Sequence, residues 1–493
     1  MPGSARASRS HALRCGRRAR LPGVALPRFP GAVLLALLSL HAVGCVDRAP
    51  LRFQRLVLVT LDTLRADHLG VYGYPRQTSP FLDEIASRGV VFERAYAPMA
   101  TTAPSHASIF TSLYPLEHGV VSNGRRLAAS FPTLAERLRA AGFRTAGFAS
   151  THAHWGPIDL DRGFEAFDAR PRKSAEVYRS ADRTVDAALD WVSGCQDCDR
   201  LLLFVHLFDA HAPLRPPERH LDVFRGASPD ARREHAEFLE ARHGVPIAFY
   251  GDDPGRMLFI MDRYDAEVRF VDEQLRRLYE GLASRGLSDG TLWIVTADHG
   301  EGLGSHRWMG HGLAWEESLR VPLIFHAPDG RLAPRRIGSI VELVDLLPTA
   351  LELLEVAVAA DAPFSGRSLA PLLRGESPRE HRAALGQRGA IPRGDQVRRL
   401  PQEDPGDLDG QQFALTEARW KLLHHTAGPD RLYDLASDPY ESRDLLAEGE
   451  APEATRLLSA LDERLDGLRR AVPLAPEVSP ETFEELRALG YAP

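Results

Sequence analysis

Short apolar runs in this chain end repeatedly in acidic residues. Leu56-Val57-Leu58-Val59-Thr60 leads to Asp62, Leu201 to Leu207 leads to Asp209 and His211, and Thr291 to Thr296 leads to Asp298 and His299. Unbroken apolar runs of this length predict strands buried on both faces, with a site at their C-terminal edge. Phe143 to Ser150 and Val321 to Phe325 predict two more. Between them the period changes to that of helices. Ser79-Pro80 opens a helix that stops near Gly89, and Pro132 opens one that stops at Gly142, each with proline near its start and glycine past its end. A longer helix is predicted over about Asp262 to Ser284. Its apolar residues Tyr264, Val268, Val271, Leu275, Leu278 and Leu282 recur in steps of four and three, which is a core-facing stripe without chemistry. Alternating strands and helices predict an α/β fold, a doubly wound and mostly parallel sheet with helices on both faces.

Toward the C-terminus the pattern breaks. Residues 376–411 are rich in Arg, Asp, Gly, Pro and Gln and predict a mobile loop, after which Phe413 to His425 and Arg431 to Leu435 predict strands of a small α+β subdomain. This divides the chain into a main domain over 52–350 and a C-terminal subdomain over 351–493. The N-terminus reads as a leader. Seven arginines and no acidic residue precede Cys45, and an apolar run from Gly31 to Gly44 ends in Ala42-Val43-Gly44-Cys45. That run has signal-peptide length and is too short to span a bilayer. The small residues before Cys45 resemble a lipoprotein cleavage box. Two outcomes follow, a lipid anchor on Cys45 or plain signal cleavage, and both place the protein outside the cytoplasm, periplasmic or membrane-anchored.

The 493 residues carry a formal net charge of −7, and removing residues 1–45 with their seven arginines takes it to −14 (−7 minus 7). So acidic a mature chain is a poor partner for nucleic acid, because phosphate binding needs a basic face. Membrane association rests only on the Cys45 anchor. Cys195-Gln196-Asp197-Cys198 predicts a local disulfide in an exported protein. Lysine is nearly absent, only Lys173 and Lys421, so 58 of the 60 basic residues (60 minus 2) are arginine.

Asp62 and the pair Asp298-His299 reach one crevice from separate strand ends. Two carboxylates and an imidazole make a first shell for a divalent cation, which would bind an ester oxygen and activate a hydroxyl. Taken singly, each aspartate is more readily a helix N-cap or a loop brace.

Four ordered segments change that balance. They are Thr60-Leu61-Asp62-Thr63-Leu64-Arg65-Ala66-Asp67-His68-Leu69-Gly70, Thr101-Thr102-Ala103-Pro104-Ser105-His106, Thr296-Ala297-Asp298-His299-Gly300-Glu301, and Leu432-Tyr433-Asp434-Leu435 with Asp438-Pro439 and Glu441. In this order they resemble the sulfatase branch of the alkaline phosphatase superfamily over about residues 52–450. The resemblance implies an alkaline-phosphatase-like fold and a metal-dependent hydrolase of phosphoric or sulfuric esters. It implies Asp62, Asp298 and His299 as metal ligands, and Thr102, two residues before Pro104, as the nucleophile that also touches the metal. His211 and His311 are implied as catalytic groups near the leaving oxygen and the oxyanion, and Asn123 and His106 as substrate contacts. Asp209, His206 and His306 are candidates for a second metal, and His118 and Asp67 read as structural.

The chain departs from the family at three places. Thr102 stands where sulfatases keep a cysteine or serine that becomes formylglycine, and oxidised threonine would be a ketone. Thr63 replaces a common aspartate. The lysines that grip sulfate are missing, with Arg144 or His152 as possible stand-ins. A threonine hydroxyl beside a metal suits attack on phosphorus, and Asp, Asp and His favour zinc or manganese, with calcium less suited. Three readings remain: an esterase of a phosphoester or phosphodiester carried on a small molecule, glycan or lipid headgroup, a sulfuric ester hydrolase working without formylglycine, and a non-catalytic anion- or glycan-binding protein. Pocket specificity is expected from the segment between Pro213 and Arg256.

Overall fold

A computed structural model of the chain describes residues 51–468 apart from 153, 170–177, 244–253, 359–361, 363, 378–381, 390–409 and 450–452, together with 478–480, 482 and 484. Strands β1 (Arg55–Leu61), β2 (Val90–Tyr96), β3 (Arg144–Ala149), β4 (Ala166–Asp168), β5 (Leu201–Leu207), β6 (Thr291–Ala297), β7 (Arg320–His326) and β8 (Arg335–Glu342) form one sheet, in the order β4-β3-β5-β1-β6-β7-β2-β8. Neighbours pair in parallel except at β7, which runs antiparallel to β6 and β2. This is the mostly parallel α/β architecture that the apolar runs predict, and the five predicted strands are β1, β3, β5, β6 and β7. Strands β2, β4 and β8 were not foreseen. β8 has an alternating first half, half-buried and exposed at an edge, which hides it among loop residues.

Register matters most at the centre. β1 lies between β5 and β6, and Leu61 sits opposite both Leu207 and Ala297. The three strands therefore end level, and the next residues, Asp62 and Asp298, emerge side by side. Leu56, Val57, Leu58 and Val59 are almost fully buried, as a strand packed on both faces requires.

The helices include α1 (Pro80–Ser87), α2 (Thr102–Thr111), α3 (Leu134–Ala140), α4 (Ala181–Gly194) and α5 (Pro254–Ala283). Thr133 caps α3, its hydroxyl accepting the Glu136 N–H while the Glu136 carboxylate accepts the Thr133 N–H. Helix α5 begins well before the predicted Asp262 and buries the whole predicted stripe, Tyr264 through Leu282. It packs against α1 and α4. One contact fixes the first pair: buried Asp272 of α5 accepts the Phe81 and Leu82 N–H groups, each at 2.8 Å, in the first turn of α1. A carboxylate from another helix thus takes the role of an N-cap.

A second, antiparallel sheet, β12-β11-β10-β9, comprises β9 (Ala384–Arg388), β10 (Gln412–Thr416), β11 (Trp420–His425) and β12 (Arg431–Asp434). β9 is fully buried and lies inside the segment expected to be loop. Much of the rest of that segment falls outside the described residues, as do Cys45 and Lys173. Helix α6 (Ala454–Leu468) covers this sheet with Leu457, Leu461, Leu465 and Leu468. Lys421 of β11, fully buried, pairs with Glu441 at 2.7 Å and Glu316 at 3.2 Å and ties the small sheet to the main one. Cys195 and Cys198 form the local disulfide. Among the described residues no helix is long and apolar enough to cross a membrane.

Asp272→Ala should destabilise the protein by about 2 kcal/mol, because two buried N–H groups lose their acceptor. Urea unfolding checks this, and an unchanged midpoint would show that the cap contributes nothing.

Candidate active site

Asp62, Thr102, Asp298 and His299 are all fully buried at the level C-terminal edge of β1 and β6. Donor atoms of Asp62, Asp298 and His299 lie within 4.8 Å of one another, a spacing that one metal ion can draw together. Hydrogen bonds prepare them for it. The His299 Nδ1–H donates to the Gly300 carbonyl at 2.9 Å, which leaves Nε2 bare. Asp298 Oδ1 accepts the His299 N–H at 3.0 Å, while its Oδ2 is buried without a hydrogen bond and lies 3.5 Å from His299 Nε2. Burial, then the neighbouring Asp62 charge, raises the Asp298 carboxyl above its usual range. Burial alone would lower the His299 ring, but the Asp298 and Asp62 charges raise it overall. A site whose acid resists ionising and whose base gathers protons is short of positive charge, and a divalent cation fits that deficit.

Thr102 opens α2, and its hydroxyl lies 3.3 Å from His299 Nε2. Ser105 of the same turn donates to the Asp298 carbonyl at 2.7 Å and locks the helix start to the end of β6. Asn123 Oδ1 accepts the Ala103 N–H at 2.8 Å, so Asn123 caps that turn from outside the helix. Gly300 is needed for close approach: its N–H donates to the Ser318 carbonyl, and a Cβ there would stand 1.9 Å from the Glu317 oxygen.

His299, His311 and His211 form a row, with ring centres 4.7 Å and 5.2 Å apart. Phe208 stacks on His211 at 4.3 Å. Burial, then neighbouring His311, pushes His211 down to about 3, so its ring is neutral at neutral pH. His106 is fully buried with both ring nitrogens engaged, Nδ1 with the Thr102 carbonyl at 2.8 Å and Nε2 with Thr60 Oγ1 at 2.9 Å. It faces the interior.

Several expectations separate here. Asp209, His206 and His306 do not meet. His206 Nε2 approaches Asp62 at 3.3 Å, Asp209 accepts the Ala181 N–H at the start of α4, and His306 stacks on Trp315 and pairs with Glu317 at 2.8 Å. Arg144 begins β3 and pairs with Glu165; the opposite end of β3, Ala149, is level with His206, so Arg144 lies at the wrong edge of the sheet. His118 bonds Ser108 and the Val120 N–H, and Asp67 pairs with Arg65 at 2.8 Å.

Reading the sequence missed Arg65 and Thr60. Buried Arg65 donates to the Glu301 and Gly302 carbonyls at 3.1 Å and 3.0 Å and braces the loop after His299. It sits three residues beyond Asp62, in a strand-to-loop turn where an arginine gives no periodic signal. The same turn holds Thr63 at φ 53°, a costly conformation for a β-branched residue, pinned by the Tyr264 hydroxyl on its carbonyl at 2.8 Å.

A family model for sulfatases matches residues 54–356. The N-acetylglucosamine-6-O-sulfatase of Bacteroides thetaiotaomicron is 24% identical, over 88% of this chain and 90% of that protein. Arylsulfatase A of Homo sapiens is 27% identical, over 90% of this chain and 93% of that protein. Among solved structures, the phosphonate monoester hydrolase of Agrobacterium radiobacter superposes with a TM-score of 0.67 at 24% identity, covering 84% of this chain and 95% of the other.

Burial pushes Asp209 up to about 7, above its ordinary carboxylate value. A folded state that favours the protonated acid is fully stabilised below that ordinary value and loses the contribution as pH rises through about 7. Asp209→Asn should therefore flatten the pH dependence of Tm between about pH 4 and pH 8, with its largest gain over the parent at the alkaline end. Parallel Tm profiles for the two proteins would refute the assignment.

Proposed function

The chain belongs to the sulfatase family of ester hydrolases, and from that membership we propose that it cleaves a phosphoester or phosphodiester with Thr102 as nucleophile. One observation carries the reading: a threonine hydroxyl occupies the first turn of α2, 3.3 Å from His299 and beside the buried acid pair. Its oxidation product would be a ketone, so formylglycine chemistry is closed to it, whereas a hydroxyl can attack phosphorus directly.

Asp62, Asp298 and His299 would hold the divalent ion, and their mixed oxygen and nitrogen donors favour zinc or manganese over calcium. Bound there, such an ion supplies the positive charge that lowers the pKa of a hydroxyl and screens the ester oxygens. The remaining work falls to the chain. Asn123 and Ser105 fix the start of α2, so Thr102 Oγ1 has one direction of approach. The α2 N-terminus adds its own partial positive charge beneath the ester. His211 and His311 line the approach to His299, where the leaving oxygen would depart. Because His211 is neutral before substrate binds, it hydrogen-bonds that oxygen, and the charge of the incoming ester draws its ring toward protonation. His106, turned to the interior, supports the nucleophile's turn and does not touch the ester. The substrate is an anionic ester met outside the cytoplasm.

A second reading has a specific observation behind it. The sulfatase relatives act, by name, on a sulfated sugar or an aryl sulfate, which favours a sulfate ester. Turnover of bis-p-nitrophenyl phosphate and p-nitrophenyl sulfate, compared after chelation and re-addition of Zn, Mn or Ca, separates the two. Faster phosphodiester cleavage with Zn or Mn supports the proposal, and preferred sulfate cleavage overturns it. Thr102→Ala should lose about 10³-fold or more in turnover while its metal content, measured by emission spectrometry, stays at the parent level.

A further inference from the structure

His206 is the single polar residue in the apolar run of β5, fully buried, and its Nε2 has no hydrogen bond of its own. Its place is set by register. His206 lies opposite Thr60 across the parallel β1–β5 pair, and in-register neighbours turn their side chains to the same face. The two side chains meet, Thr60 Oγ1 to His206 Nδ1 at 2.9 Å, and the same Thr60 oxygen meets His106 Nε2 at 2.9 Å.

Donor and acceptor roles then follow in sequence. The Thr102 carbonyl can only accept, so the His106 Nδ1–H donates to it at 2.8 Å. The bare His106 Nε2 accepts the Thr60 hydroxyl, and the Thr60 oxygen accepts the His206 Nδ1–H. His206 Nε2 is left aimed at Asp62 Oδ2, 3.3 Å away. Packing holds both rings in this orientation: Trp155 lies edge-on to His106 and His206, with ring centres 4.8 Å and 5.3 Å apart. The chain of side chains thus begins on the backbone of the nucleophile and ends on a metal-binding carboxylate.

We propose that Thr60 and His206, acting through His106, are positioning residues that fix Asp62 and the Thr102 turn at the separation one metal ion requires. A merely space-filling pair of histidines would not place its two ends on the two halves of the site. The inference rests on the metal reading above. His206 is not assigned to the inner donor group, whose mutually close atoms belong to Asp62, Asp298 and His299.

The test is metal affinity, read by competition with a chromophoric chelator for Zn²⁺ and Mn²⁺ on the whole chain. Thr60→Val keeps the shape and removes the hydroxyl, and it should weaken binding roughly ten- to hundredfold. Thr60→Ser restores the hydroxyl and should return affinity to within about threefold of the parent. Thr60→Val binding metal like the parent, or Thr60→Ser failing like Thr60→Val, would overturn the proposal. Lower Tm at unchanged affinity would also overturn it, since that is the mark of a structural role alone. If Thr60→Val does not fold, His206→Asn is read in the same way. A parent that binds neither ion sinks the metal reading itself, which is a different result from a parent that binds and variants that match it.

Discussion

The level ending of three parallel strands is the constraint on which the rest of this molecule depends. Leu61 stands opposite Leu207 on one side and Ala297 on the other, so the chain leaves the sheet three times at one height. A slip of one residue would turn each following side chain to the other face and scatter Asp62 and Asp298. The apolar runs pay for this register through burial, and the polar residues just past their ends inherit its accuracy. The inverted strand β7 then closes the parallel run on the far side of β6.

What gathers at that edge is electrostatically unfinished. Two buried carboxylates lie together, and the groups beside them are mainly imidazoles that burial keeps near neutrality, as with His106 at about 3 and His206 at about 4. The fixed cation nearby in sequence, Arg65, spends its guanidinium on backbone carbonyls and Asp67. Such a site stabilises positive charge without holding much of its own. The scaffold carries the same logic at Asp272, where a buried carboxylate serves two N–H groups.

Much of this was legible in the amino-acid sequence. Strands β1, β5 and β6 announce themselves because strands buried on both faces read as solid apolar runs, and the acid after each run marks the edge. The α5 stripe is legible for the same reason at helical period. Edge and small-sheet strands are not, since β8 alternates weakly and β9 hides in an arginine- and glycine-rich stretch that tertiary packing overrides. At the site, Asp62, Asp298, His299 and Thr102 could be named and they do converge. Their hydrogen-bond partners could not, because Arg65 and Thr60 matter through contacts with residues far away in sequence. His206 was visible as a polar residue in an apolar run, but its neighbour across the sheet was not. His306 stacks on Trp315 and lies in a cluster with Glu317 and Glu441, apart from Asp209 and His206, and no spacing in the sequence announces those neighbours.

The buried Lys421 has a practical consequence. Its ammonium group is enclosed by Glu441 and Glu316, and only one other lysine, Lys173, exists in the chain. Amine-directed reagents and lysine-specific proteases thus meet a protein that offers them almost no targets while it is folded. Acylation of Lys421 becomes a reporter for detachment of the small sheet, readable by mass spectrometry against a nearly blank background.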